Sequence, residues 1–451
     1  MKEIYEHFER GFEEVLPQRE QTERRIGAEL KFPVVNPDGT SVPYATIEAL
    51  WDYLQSLGWE AVSDDMTGKV IGARKPGPRN DTLASCETGF SKSEFSLAHA
   101  GDLHELQEMI GQLRAELEGF SEKHDVRFLG YGIQPVTPPG EHLLMEQSRT
   151  SVWDKIFPSN EHIPEDKGDD FHLFTVNAAS HVHVSVGRGE AIPLVNVLNG
   201  FAPAQIALTA NSSVWQGQPG DYQCVAEKFW DWWMPEEGRV GIPTERFEDL
   251  RHYADMISRF RPVYVKREGT PIVLTGYDSF AEYYGEEEAV GFNPAGEEVK
   301  VVPRRKDVDL HSTCYWFNAR LSRYYTVEGR LNDQQPPEDL ICVPAMTLGL
   351  AAALDEGCEV IDSYEWEDLR RAREAACREA LKGSANGHEL ATLAREMLEV
   401  ARLGLRRRDR GEEKYLEPLF QRLRQKTCPA EEAGEIYRRG GGEALVEARS
   451  L

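Results

Sequence analysis

Short stretches before residue 336 alternate apolar and polar residues with a period of two, the pattern of a strand with one face in a core. Between Gly27 and Phe32 the apolar set is Ala28, Leu30 and Phe32, leaving Glu29 and Lys31 together on the other side. Phe95 and Leu97 stand against Lys92, Glu94 and Ser96 in the same way, and Val182, Val184 and Val186 against His181, His183 and Ser185. Farther on, Phe317, Ala319 and Leu321 oppose Trp316, Asn318 and Arg320, while Val327 and Leu331 oppose Thr326, Glu328, Arg330 and Asn332. A wet outer face accounts for any one of these strands. Several of them, all carrying charged or hydrogen-bonding groups, predict a curved sheet whose concave face lines a polar funnel.

The predicted strands are Arg25–Val35, Ser91–Ala98, Arg127–Gln134, Phe171–Val186, Pro262–Lys266, Pro271–Thr275 and Tyr315–Asn332. Helical periodicity runs through Thr46–Leu57, Leu103–Glu122 and Ile192–Ala210. Single helices do not separate the strands regularly, so the pattern predicts an α+β, mostly antiparallel sheet flanked by helices rather than a doubly wound one. From Pro337 on the pattern is helical, over Leu340–Leu354, Glu365–Leu381, Glu389–Leu405 and Glu413–Arg424. The organisation expected is a catalytic α+β domain over 1–336 and a helical C-terminal region, 337–451, packed on the same domain and carrying no chemistry.

Composition narrows the function. The chain has 451 residues, 40% hydrophobic and 28% charged, with a formal net charge of -26. So acidic a protein is a poor partner for nucleic acid, which needs clustered Lys and Arg. No apolar run approaches the roughly 20 residues of a membrane helix, and the charged start lacks the core of a secretory signal. A cytoplasmic protein, monomeric or homodimeric, with no membrane partner is expected. Seven cysteines lack metal-ligand spacing and read as free thiols. Neither a phosphate-loop nor a dinucleotide-binding glycine motif follows any strand. An anionic substrate such as ATP then requires local Arg residues or divalent cations to reverse the field in the site.

The polar faces supply both. His181 and His183, two residues apart on a strand, stand about 6 to 7 Å apart on one side, where they ligand a metal, grip a phosphate or simply face water. Carboxylates converging with them suit Mg²⁺, a hard ion often shared with substrate phosphates. Arg320, Arg323 and Arg330 offer bidentate geometry for phosphate or carboxylate. These are parts for phosphoryl transfer, in which catalysis is mostly positioning and charge stabilisation.

The ordered set of motifs resembles the glutamate–cysteine ligases of the plant and proteobacterial type, within the carboxylate–amine ligases of glutamine synthetase-like fold. Gly27-Ala-Glu29 is similar to that family's Gly-x-Glu-x-Glu strand, and the segment Ser85 to Ser96 to its Ser-Leu-Glu-Pro-Gly-Gly…Glu-Leu-Ser. Phe128-Leu-Gly-Tyr-Gly-Ile-Gln-Pro135 resembles Phe-Leu-Gly-x-Gly-x-x-Pro, and His181-Val-His183 falls where members have His-Val-His or Gln-Val-Asn. The segments Ala210 to Gly217, Arg320 to Asp333 and Tyr415 to Leu419 continue the likeness. The resemblance implies Mg²⁺ or Mn²⁺ held by Glu29, Glu87, Glu94, His181 and Glu328. It implies ATP and amino-acid substrates (glutamate, cysteine) bound by His183, Arg320, Arg323, Lys31 and Asn211, with Glu328 and Arg330 catalytic. His181 is the metal ligand of the histidine pair in this reading, and His183 orients its neighbour or a substrate. The implied reaction activates the γ-carboxylate of glutamate as an acyl phosphate, which the amine of cysteine then attacks, as in the first step of glutathione synthesis.

Two departures leave alternatives open. Lys31 stands where the family strand has its second Glu, exchanging a metal ligand for a cation that itself neutralises phosphate charge. The segment Cys224 to Trp230 aligns with Ser-x-Arg-Ser-x-x-Trp, so Ala226 occupies the Arg position, with Lys228 a substitute in space. The alternatives are a ligase of the same family using another acid or amine, and an inactive nucleotide- or metabolite-binding homologue.

Overall fold

The computed structural model describes residues 2–19, 24–234 and 238–451. Strands β1 (Ile26–Val35), β2 (Glu60–Ser63), β3 (Val70–Lys75), β4 (Thr82–Cys86), β5 (Lys92–Ser96), β6 (Arg127–Phe128) and β7 (Ala179–Ser185) join a hairpin, Ala319–Leu321 with Thr326–Asp333, in one nine-stranded sheet. From the hairpin inward the order is Ala319–Leu321, Thr326–Asp333, β7, β1, β5, β4, β3, β2, with β6 paired to the end of β1. Every pairing is antiparallel, and a sheet of this kind can keep one face dry and the other wet.

Register converts the alternation into a surface. Residues directly opposite in an antiparallel pair share a face, and the opposed pairs include Glu29 with His181, Lys31 with Glu94, His183 with Glu328 and Glu328 with Arg320. The polar residues of five separate strands therefore form one floor. A one-residue slip of any strand would send its polar set into the core. Between Gly329 and Asn332 the register shifts, and this bulge lets Leu331, Asn332 and Asp333 all border the cavity above the floor.

The dry face is covered by helices. The first six α-helices along the chain are α1 (Lys2–Arg19), α2 (Tyr44–Ser56), α3 (Leu103–His124), α4 (Arg188–Gly200), α5 (Ala202–Thr209) and α6 (Val225–Trp233). Helices α4 and α5 pack on Thr326–Asp333, and the C-terminal helix Cys342–Ala352 packs on β7 and β1. Leu30, Val182, Val184 and Val327 are inaccessible to solvent and share one apolar cluster with Leu348, Met397 and Leu398 of the C-terminal helices. Full burial of such side chains stabilises by about 1.5–3 kcal/mol each, so the C-terminal region is integral to the sheet's support. A smaller four-stranded meander, from Tyr264–Arg267 through Glu298–Val301, stands apart from the main sheet.

Several expected elements are cut differently. The expected strand Phe171–Val186 begins as a 3₁₀ helix, Asp170–Thr175, because the Asp169 side chain accepts from Phe171 N and caps a turn. Only Arg127–Phe128 of the expected strand Arg127–Gln134 pairs with β1; beyond it Gly130 and Gly132 run too close to Gln335 O and Asp333 for any Cβ to fit. The expected helix Ile192–Ala210 is two helices bent by 54°, since Pro203 near the start of the second has no N–H to continue the first. The last helical stretch, Pro429–Arg449, is interrupted at Gly441, where φ is 70°, and strands β2, β3 and β4 span only four to six residues, too few for periodicity to mark.

Candidate active site

The polar floor lies under a cavity of about 1280 Å³, large for a single small ligand. Around its hairpin half, Glu29 reaches both histidines: His181 Nδ1 donates to Oε2 at 3.2 Å and His183 Nε2 to Oε1 at 3.1 Å. Glu328 Oε1 lies 3.8 Å from His181 Nδ1 and 3.9 Å from His183 Nε2. Arg320 Nε fixes the other oxygen, Oε2, at 2.9 Å, and Arg330 Nη1 pairs with Oε1. Burial alone would raise both carboxyls. The hydrogen bonds from the histidines hold Glu29, and Arg320 and Arg330 hold Glu328, well below the usual carboxylate range.

The two histidines differ. Burial drives the His181 imidazole down to about 4, helped by the charges of Lys31 and Arg330, so it is neutral. His183 is also buried, but Glu29 and Glu328 raise it above its ordinary value. Donor atoms of Glu29, His183 and Glu328 all lie within 4.8 Å of one another, close enough to share an ion. That group contains His183; His181, the expected ligand of the pair, stands beside it with Nδ1 3.2 Å from Glu29 Oε2 and 3.8 Å from Glu328 Oε1. Glu29 thus holds one nitrogen of each ring, Nδ1 of His181 and Nε2 of His183, while the other His183 nitrogen, Nδ1, sits 3.0 Å from Thr326 Oγ1. Two ionised carboxylates and an imidazole are a donor set that fits Mg²⁺ or Mn²⁺.

Across β1 the surroundings change. Lys31 Nζ lies 2.9 Å from Glu94 Oε2 and 3.2 Å from Glu87 Oε1. Lys92 Nζ and Arg149 Nη2 add contacts to Glu87 at 3.6 and 3.7 Å. Desolvation works against all these charges, but Lys31 is raised above its ordinary value by Glu87 and Glu94, and Glu87 is held far down by Lys31 and Lys92. Glu94 goes the other way, to about 8, because burial and the neighbouring Glu29 and Glu87 outweigh Lys31. Lys92 falls to about 8 through burial. Glu87 and Glu94, expected as metal ligands, are thus occupied by Lys31 and stand outside the Glu29–His183–Glu328 group.

Other expected residues are placed as follows. Arg320 is not a free clamp: besides Glu328 it donates to the carbonyls of Thr313 and Tyr315 at 3.1 and 2.7 Å. Arg323 is exposed at the hairpin turn, on the cavity's edge, with its Nη2 on Tyr324 Oη at 2.6 Å. Asn211 is fully buried and joins chain segments, donating to Gly130 O at 3.0 Å and Gln334 O at 2.8 Å; its amide holds loops and does not border the cavity. Arg330 and Lys31 line the cavity as expected.

A second group, of which position 226 alone was singled out from the sequence, faces the same cavity. Ala226, Glu227, Trp230 and Trp233 of α6 line the cavity, as do Trp153 and Trp316. Trp230 and Trp316 stack with centroids 5.5 Å apart. Arg373, from the C-terminal helix Trp366–Glu379, donates to Glu227 Oε1 at 2.9 and 2.7 Å, so the C-terminal region does reach the site's second layer. Lys228 does not replace the missing Arg at 226: its Nζ is held by Asp231 at 2.7 Å and by Glu374. The clustering of Trp in residues 230–233 was the available signal; its partners lie some 80 positions away on either side.

Comparison with known proteins agrees in sequence and fold. The family model for glutamate-cysteine ligase family 2 (GCS2) matches residues 25–448. The chloroplastic glutamate–cysteine ligase of Medicago truncatula is 25% identical over 400 residues, covering 86% of this chain and 73% of its own. That of Arabidopsis thaliana is also 25% identical, over 408 residues, covering 88% and 73%. The crystal structure of the Francisella tularensis glutamate–cysteine ligase in complex with AMP superposes with a TM-score of 0.54 at 10% identity, covering 95% of this chain and 88% of that one. At that identity the likeness is one of fold, and the fold is the α+β, mostly antiparallel sheet flanked by helices expected from the sequence.

Proposed function

We propose that this chain, which belongs to glutamate-cysteine ligase family 2, is an ATP-dependent carboxylate–amine ligase that joins the γ-carboxylate of glutamate to the amine of cysteine. The observation that carries the reading is the Glu29–His183–Glu328 group, two ionised carboxylates and an imidazole on the floor of a cavity that also exposes Lys31 and Arg330. Those three residues would hold Mg²⁺ or Mn²⁺, which when bound neutralises polyphosphate charge. In the reaction the γ-phosphoryl group of ATP passes to the substrate carboxylate, giving ADP and an acyl phosphate. The amine then attacks the acyl carbon, phosphate leaves and the amide forms.

The chain's own residues do the positioning. Arg330, aligned beside Glu328, faces the transferred phosphoryl group and disperses its charge. Arg320 locks Glu328 from behind, so that the carboxylate does not reorganise when charge develops. Lys31 supplies a fixed positive charge on the opposite half of the floor, where it compensates Glu87 and Glu94 and keeps them from binding a second ion. Seven free cysteines support action in a reducing compartment, the cytoplasm in our reading, and no single helix among the described residues is long and apolar enough to cross a membrane.

Incubation with ATP, glutamate, cysteine and Mg²⁺ should give γ-glutamylcysteine and ADP in equal amounts. Absence of both with Mg²⁺ and with Mn²⁺ would rule the reading out. A second reading, the same chemistry on another acid or amine, is favoured by Ala226, which leaves the cavity without the guanidinium of the related pattern. A panel of acids and amines scored by ADP release decides between them: an exclusive response to glutamate and cysteine rejects the second reading.

A further inference from the structure

Ala226, Glu227, Trp230 and Trp233 form one face of α6, at three- and four-residue spacing, and all border the cavity. Glu227 is only 4% exposed. Its Oε1 accepts from Arg373 Nε and Nη2 and from Asn318 Nδ2, and among the described residues no hydrogen bond reaches Oε2. That oxygen is left without a donor on a residue of the cavity wall.

Arg373 is divided between Glu227 and Asp231. Its Nη1 lies 2.7 and 2.9 Å from the two oxygens of Asp231, and Lys228 is shared between Asp231 and Glu374. The carboxylates of Glu227, Asp231 and Glu374 are matched by Arg373, Lys228 and Arg378, the last 3.4 Å from Glu374 Oε1, and of the Glu227 oxygens Arg373 engages Oε1 alone. Glu227 is the member of that group that meets the cavity. Beside it stand the stacked rings of Trp230 and Trp316, with Trp153 and Trp233 behind them. An aromatic face next to a carboxylate attracts an ammonium group. The position that would repel one, 226, carries the small Ala.

We infer that Glu227 and the Trp230–Trp316 wall form the subsite for the protonated amino group of the amine substrate, selecting an ammonium on a short apolar body and rejecting an anionic group in its place. The inference rests on the ligase reading for the word substrate, while the subsite itself is defined by binding. Asn318 fixes its position relative to the chemistry: its side chain holds Glu227, and its backbone carbonyl accepts from Arg330 N at 2.8 Å. The subsite thus abuts the strand that presents Glu328 and Arg330.

The test is a titration of the full chain followed by tryptophan fluorescence, using two probes of similar size. Cysteamine carries the ammonium without a carboxylate, and 3-mercaptopropionate carries the carboxylate without an ammonium. Wild type should bind cysteamine at least ~10-fold more tightly, the equivalent of one charged hydrogen bond. Glu227→Gln should lose that preference, and Ala226→Arg should reverse it; Trp230→Leu should weaken cysteamine a few fold, the scale of ~0.5–1 kcal/mol for a cation–π contact. Equal binding of the two probes by wild type, or a preference unchanged in folded Glu227→Gln, would overturn the inference. Should Glu227→Gln not fold, Ala226→Arg decides alone: reversal supports the subsite and an unchanged preference overturns it. Failure of the ligase reading looks different, as cysteamine preference intact with no ADP released by any acid and amine pair.

Discussion

The two halves of the cavity floor, divided by β1, hold the same number of carboxylates in opposite conditions. On the hairpin side Glu29 and Glu328 face imidazoles and keep oxygens within reach of a shared ion. On the β5 side Glu87 and Glu94 face Lys31, Lys92 and Arg149. Glu29 and Lys31 are two residues apart on a single strand, so one side chain decides the difference. Glu328 too has cations on both oxygens, Arg320 and Arg330, but an ammonium placed among three carboxylates, as Lys31 is, is held there by attraction that outweighs its desolvation. Residue type alone therefore does not make a ligand.

The sharpest way to break the comparison is to neutralise one carboxylate on each side. Glu328→Gln should lower turnover on the order of 10²–10³-fold, the scale of removing a charge-stabilising group, whereas Glu94→Gln should cost less than ~10-fold, since Glu94 already tends to hold a proton near neutrality. ADP release under saturating ATP measures both. Equal losses would mean that the two halves act as one site. Next in size is the effect of Lys31→Glu, which should convert the β5 side to the hairpin kind: calorimetric titration with Mn²⁺ should show one site in wild type and two in the variant. A wild-type stoichiometry of two would remove the role assigned to Lys31.

Protons distinguish a third situation, a buried carboxyl with neutral partners. Asp333 accepts from Asn211 N and Ser212 Oγ at 2.6 and 2.8 Å, and burial nevertheless raises it from 3.8 to about 7. The folded state then holds its proton more tightly than the unfolded one. The associated stability is complete below 3.8 and is lost as pH rises to about 7. Asp333→Asn keeps an acceptor for both bonds and should flatten that decline, a difference of roughly a few kcal/mol between the ends of the window, read by denaturant unfolding at each end. A slope unchanged by the substitution would show that Asp333 is ionised throughout. The smallest effect is expected at Asn211: Asn211→Ala should cost about 1–3 kcal/mol of stability through the orphaned Gly130 and Gln334 carbonyls, with the KM for ATP unaltered. A raised KM for ATP would restore Asn211 to the site.

Much of the floor was legible before any coordinates. The alternation at 28–32, 92–97, 181–186 and 326–332 gave each strand its dry and wet side, and Glu29, His181, His183, Glu328 and Arg330 do meet. Two of the expected binding residues are engaged within the protein itself. Asn211 and Arg320 have side chains suited to a ligand, but their nearest hydrogen-bonding groups are backbone carbonyls supplied by Gly130, Gln334, Thr313 and Tyr315. Asp169 ended the predicted strand at 171 by capping a turn, a local hydrogen bond that outcompetes a weak alternation. Both His181 and His183 meet Glu29 through opposite ring nitrogens, a difference that spacing along one strand does not record.

By itself the sequence determined the α+β class, the polar face and the family, because a period of two and an ordered set of short motifs are properties of neighbours along the chain. Tertiary structure decided which carboxylates are free, what Lys31 does and where Arg373 and Lys228 spend their charge. Those outcomes depend on separations of a few ångströms between residues tens to hundreds of positions apart, and on burial, which sets how strongly each charge is felt. The wall of Trp153, Trp230 and Trp316 beside Glu227 is of the second kind: each ring is visible in the sequence, and their convergence on one carboxylate exists only in the folded chain.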